Sequence, residues 1–114
     1  MNILQEIKKC LDSDDDICIS DSVYDKSIEI VSKIDQEYFK INYECYSTKY
    51  KTLIIDFSQN ENLFSLEIAS KALGYFTEGK INKMEESIDI TTNDEIDLAI
   101  RQIEIDIEKL FFNV

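Results

Sequence analysis

The groups in this chain best suited to chemistry are carboxylates, and the densest of them, Asp12, Asp14, Asp15 and Asp16, fall in the stretch LDSDDDICIS. The spacing Asp12-x-Asp14-x-Asp16 matches the opening of a calcium-binding EF-hand loop. Such a loop also needs glycine at its sixth position for the sharp turn and a bidentate glutamate at its twelfth. Counted from Asp12, those positions hold Ile17 and Val23. The segment Ile17-Cys18-Ile19 also reads as the start of a strand, where an EF-hand needs a helix. The cluster is therefore expected to be an acidic turn that ends a helix and faces a partner, and no metal is expected there.

Other chemistries lack their parts. The chain has no histidine, so neither a Ser-His-Asp nor a Cys-His arrangement can form. Its only glycines, Gly74 and Gly79, cannot build a phosphate-cradling loop. Paired carboxylates could act on glycosidic bonds, but a sugar cleft is usually rich in Trp or His, and the chain has neither. Cys10, Cys18 and Cys45 are odd in number and form no CxxC, so they read as reduced, buried small hydrophobes. No catalysis and no cofactor are expected.

Charge bounds the partners. The net charge is −12, with nine acids and four bases in residues 1–35, six of each in 36–84, and nine acids and two bases in 85–114. Acidic ends repel nucleic acid and anionic membranes, which bind through Lys and Arg, and they attract a basic protein surface. The tyrosines Tyr38, Tyr43, Tyr46 and Tyr50 lack the basic platform of a nucleic-acid stacking surface, although an exposed tyrosine can anchor a protein interface. The N-terminus MNILQEIKKC has no signal-peptide pattern, and no apolar run approaches the ~20 residues of a membrane span. The expected location is cytoplasmic.

The elements that would position these groups form one α+β domain over residues 1–114: an antiparallel β-meander of about three to five strands packed with an N-terminal helix, a middle helix and a long C-terminal helix. Asn2 can cap the first helix, with Ile3, Leu4, Ile7, Cys10 and Leu11 on one face. Ile28, Ile30, Ser32 and Ile34 alternate as a strand does, followed by a turn at Asp35-Gln36. A second alternating run holds Phe39, Ile41, Tyr43 and Cys45. Thr52–Phe57 supplies a further strand with Leu53, Ile55 and Phe57 inward. Ser58 and Glu61 have capping-box spacing ahead of Leu63, Phe64, Leu66, Ile68, Ala69, Ala72, Leu73 and Phe76, which predicts the middle helix, stopped at Gly79. Lys80–Lys83 reads as a connector and Ser87–Ile90 as either a short strand or an extended link.

In the last segment Thr92 and Glu95 form a capping-box pair, and Ile96, Ala99, Ile100, Ile103, Ile107, Leu110 and Phe111 share one helical face. Leu98, Ile105 and Phe112 are left on the opposite face. They are either buried by a second layer or form an apolar ridge, flanked by Asp97, Glu104, Asp106 and Glu108, offered to a partner or a second copy.

Size, abundant Ile, Lys, Asn, Asp and Glu, and the acidic flanks DSDDD and EESIDITTNDEID give a class-level resemblance to the immunity proteins of bacterial toxin systems, including contact-dependent growth inhibition. The resemblance implies capture of a cognate toxin domain, often a basic nuclease, whose active site the acids would occlude. Asp12, Asp14, Asp15, Asp16, Asp97, Glu104, Ile105, Asp106 and Glu108 are the partner-binding candidates. In size, acidity and its helix-then-strands opening the chain also resembles type III secretion chaperones, which are dimers. A phage-type nucleic-acid mimic would carry the same charge pattern.

Overall fold

Helix α1 (Ile3–Asp12) starts at the cap that its side chains encode. The Asn2 carboxamide accepts from the Gln5 amide at 3.0 Å, and the Gln5 side chain accepts from the Asn2 amide at 3.1 Å. This reciprocal pair satisfies two donors that a helix N-terminus otherwise leaves without partners. The computed structural model describes residues 2–13, 17–79 and 85–112. Asp14, Asp15 and Asp16 therefore lie outside the described residues, as does the Lys80–Lys83 connector.

After α1 the structure departs from the alternating reading. Ile17–Ile19 is not a strand: it is an irregular link into α2 (Asp21–Lys33), whose N-cap Ser20 accepts from the Val23 amide. The period-two pattern of Ile28, Ile30, Ser32 and Ile34 occupies a window too short to separate the two periods. Val23, Ser27, Ile30 and Val31 are buried at helical spacing, and Val31, which alternation would turn outward, is fully buried. The expected Asp35-Gln36 turn is a 3₁₀ turn over Gln36–Lys40, which takes Phe39 out of the strand that follows.

A five-stranded antiparallel meander comes next, in the order β1 (Asn42–Ser47), β2 (Leu53–Gln59), β3 (Asn62–Ile68), β4 (Ala72–Glu78) and β5 (Glu85–Asp89). The predicted middle helix is thus the β3–β4 hairpin. Its Phe64, Leu66 and Ile68 pair with Thr77, Tyr75 and Leu73, and all six are buried on one face. The β2–β3 connection is a two-residue turn between paired Gln59 and Asn62, with Asn60 at φ 52° and Glu61 at φ 69°. Tight hairpins of this kind need positive φ at both central residues. Gly79 ends a strand, not a helix; its φ is +127°, and a Cβ there would lie 2.1 Å from Asn62 Oδ1.

Helix α3 (Asn93–Ile107) carries the expected Thr92–Glu95 capping box and runs into a π turn, Glu108–Phe112. The hydrogen bonds that Glu95 accepts, first from the Thr91 hydroxyl and then from the Thr92 backbone, hold its carboxyl below the usual range. The α3 stripe Ile96, Ala99, Ile100, Ile103, Ile107 and Leu110 joins Ile3, Ile7, Val23 and Ile30 in a core built on the inner face of the sheet. The chain is therefore an α+β fold, with three α-helices and one sheet among the described residues.

Candidate acidic docking surface

Strand geometry sorts each residue onto one of two faces, because successive side chains point oppositely. The inner rows, such as Tyr43–Phe57–Phe64–Thr77 and Cys45–Ile55–Leu66–Tyr75, enter the core. The alternate rows make the outer face: Asn42–Ser58–Leu63–Glu78, Glu44–Asp56–Ser65–Phe76–Glu85, and Tyr46–Ile54–Glu67–Gly74–Ser87. Ala72 and Asp89 complete it. Glu44, Asp56, Glu67, Glu78, Glu85 and Asp89 thus share one surface, and no Lys or Arg stands among the paired residues of those rows. The described lysines of the middle segment lie elsewhere: Lys40 in the 3₁₀ turn, Lys49 and Lys51 between β1 and β2, Lys71 between β3 and β4. Among the described residues of this charge-balanced segment, the lysines lie in turns, whereas Glu44, Asp56, Glu67 and Glu78 lie in strands.

The surface is ordered by neutral donors. Asp56 accepts from the Tyr46 hydroxyl at 2.8 Å through one oxygen and from the Ser65 hydroxyl at 2.5 Å through the other. Glu67 accepts from the Thr52 hydroxyl at 2.6 Å, and Thr52 shares a further hydroxyl bond with Thr48. Neutral donors fix the carboxylates without cancelling their charge. The hydroxyl of Tyr46, 41% exposed, is pushed up to about 12, by burial first, then by the bond to Asp56 and the charges of Asp56, Glu44 and Glu67. Half-buried Ile54, Leu63 and Phe76 supply apolar area between the acids. A depression of about 320 Å³ opens over Gly74, walled by Ile54, Ser65, Glu67, Phe76 and Glu85.

The α3 candidates fare differently. Asp106 is a correction: only 1% exposed, it faces the core, where its Oδ2 accepts from the Tyr75 hydroxyl and from Gln102 Nε2 at 3.1 Å. Its Oδ1 has no hydrogen-bond partner among the described residues. An acid with no exposed surface cannot touch a partner. Burial, then the bond to Asp106, raises the Tyr75 hydroxyl far above its ordinary value. Glu104 accepts from the Asp35 amide at 3.0 Å, Glu108 from the Tyr38 hydroxyl at 2.7 Å, and Asp97 lies 3.6 Å from Lys33 Nζ. These three acids tie α3 and the π turn after it to the end of α2 and the α2–β1 connection, while keeping exposed or half-exposed surface. Asp12 is exposed and lies 3.7 Å from Lys8 Nζ. The ridge is exposed, with Leu98 at 61%, Ile105 at 43% and Phe112 at 45%, and Phe112 rests against the Tyr38 ring.

The three cysteines are free and half-buried, less deeply placed than the apolar reading implied. Burial, more than any neighbour, raises the thiols of Cys10 and Cys45, which favours the protonated form and lowers nucleophilicity. No helix among the described residues is long and apolar enough to cross a membrane.

Sequence reasoning did not find the open sheet face. It placed the acids by position along the chain, and reading 62–78 as a helix removed two of the five strands. The signal was present in the alternation of Glu44, Asp56 and Glu67 with inward apolar residues. No protein-family model, curated protein or solved structure matches the chain.

Proposed function

We propose that this protein is an immunity-type inhibitor that binds a basic toxin domain, a nuclease in the simplest case, and occludes its phosphate-binding surface. The observation that carries the reading is the open sheet face, where six carboxylates lie among apolar side chains and no cation stands in the same strand rows. A face of this kind attracts a positively charged surface during encounter, and exposed aromatic and aliphatic groups slow its release. The acids do no bond-making in this reading. They compete for the cations that a nuclease uses to hold phosphate. A phage-type mimic would work by the same physics on a different target.

A second reading has its own observation. The exposed Leu98–Ile105–Phe112 ridge favours an apolar contact, such as a secretion chaperone makes with an effector segment or with a second copy.

The test is co-expression with a candidate basic toxin C-terminal domain. Survival that depends on the chain is expected, together with a purified complex whose association rate falls at least about tenfold from dilute buffer to about 0.5 M salt. Death despite full expression of the chain contradicts the reading.

A further inference from the structure

Gly74 lies in the middle of β4, paired to Glu67 on one side and Ser87 on the other. Glycine weakens a strand interior and usually marks a bulge, a bend or a place where another group approaches closely. No bulge occurs here. The pairing runs unbroken through this position on both sides, and Gly74 lies outside the positive-φ region where glycine is favoured. A Cβ built there would meet the Glu86 carbonyl oxygen at 3.5 Å, an ordinary contact. The fold has room for a side chain and the chain leaves it empty. That vacancy is the floor of the depression on the outer face.

Its walls are of two kinds. Ile54 and Phe76 are apolar and half-buried, whereas Glu67 and Glu85 are exposed carboxylates with no ion-pair partner among the described residues. Glu67 already accepts one hydroxyl bond, which aims it without neutralising it. A volume of 320 Å³ lies at the small end of the range for ligand pockets, about 300–1,000 Å³, and suits one long side chain better than a folded segment. From these features we infer that the Gly74 trough receives a single arginine side chain of the basic partner. The aliphatic stem lies along Ile54, the guanidinium plane stacks on Phe76, and its fork reaches Glu67 and Glu85. Arginine suits the site better than lysine because its planar head offers donors in several directions, stacks on rings and is more weakly hydrated. Charge complementarity selects this occupant, and the assignment rests on the capture reading above.

The probe is the capped tripeptide acetyl-Gly-Arg-Gly-amide, titrated into the full ¹⁵N-labelled chain, with citrulline and lysine versions as controls. Saturable amide shifts centred on Gly74, Phe76, Glu67 and Ser87 are expected in the millimolar range, weaker with lysine and lost with citrulline. Gly74→Leu fills the trough and reduces affinity at least about tenfold, as does the Glu67→Gln/Glu85→Gln pair, which leaves the vacancy intact. Amides at Gly74 and Ser87 that do not move, a citrulline peptide that binds equally, or shifts centred on residues 97–108 each overturn the assignment. The failures are separable. If Gly74→Leu still protects cells and binds the toxin domain with unchanged affinity, the trough is refuted and capture stands. If the tripeptide binds as described but the chain gives no protection, toxin capture is refuted and the arginine site stands.

Discussion

Alanine at Gly74 and alanine at Gly79 move stability in opposite directions. At Gly74 the added methyl group meets the Glu86 carbonyl at an ordinary 3.5 Å, and the backbone is one that alanine adopts without strain. The variant therefore gains the usual benefit of a less disordered unfolded chain and a better strand former, about 0.5–1 kcal/mol. At Gly79 the same entropic gain is outweighed. The φ of +127° is a region that costs other residues about 1–3 kcal/mol. The new Cβ would also lie 2.9 Å from the Asn62 Cα, a backbone atom that cannot swing away. Moving the Asn62 carboxamide to relieve its 2.1 Å overlap gives up the bond from Nδ2 to the Leu110 carbonyl, about 0.5–1.5 kcal/mol. The net expectation is a loss of about 1–3 kcal/mol. Urea unfolding followed by far-UV circular dichroism reads both variants, with the slope unchanged and the midpoints shifted to opposite sides of the parent. A Gly74→Ala midpoint as depressed as that of Gly79→Ala refutes the reasoning, because the fold itself would then require glycine at 74.

Tyr75→Phe leaves buried Asp106 with Gln102 as its remaining donor and costs about 1–3 kcal/mol in the same unfolding assay; an unchanged midpoint contradicts the assigned bond. Ile105→Lys, on the exposed ridge, stays within about 0.5 kcal/mol of the parent, whereas Ile103→Lys, at a fully buried position, fails to fold; circular dichroism and elution volume check both. Tyr43 and Tyr46 are both pushed up to about 12, by burial first and then by bonds to Glu6 and Asp56 respectively. A phenol that holds its proton more tightly when folded stabilises fully below its unfolded pKa of about 10, and that contribution is lost as the pH rises through the folded value. Unfolding midpoints therefore fall between about pH 10 and 12, less steeply in Tyr46→Phe, and a flat profile contradicts this.

Both terminal helices are legible in the sequence because their boundaries are written in side chains: Asn2 with Gln5, and Thr92 with Glu95, above wide apolar stripes. β2 is legible because Leu53, Ile55 and Phe57 alternate cleanly. The segment 62–78 is not, for two physical reasons. The turn before it uses Asn60-Glu61 at positive φ in place of Asn-Gly, so its strongest local signal is absent. Two inward strands separated by three residues also place apolar side chains at spacings that mimic a helical face. At 28–34 the error runs the other way, since four alternating positions outweighed a helical pattern that starts only at Val23. Of the candidate site, the acidic character was legible from composition and its location was not. Lys40, Lys49, Lys51 and Lys71 cancel the strand acids along the chain, but the fold places them in turns.

The six outward carboxylates are expected to concentrate negative potential on the solvent side of the sheet, above that of the helices. Amide-proton relaxation by soluble nitroxide probes, one cationic and one anionic, measures that potential residue by residue. The largest cation-to-anion ratio is expected at Ser65, Glu67, Gly74 and Phe76, diminishing as salt is added. A ratio that is uniform over the molecule, or highest along α3, contradicts it.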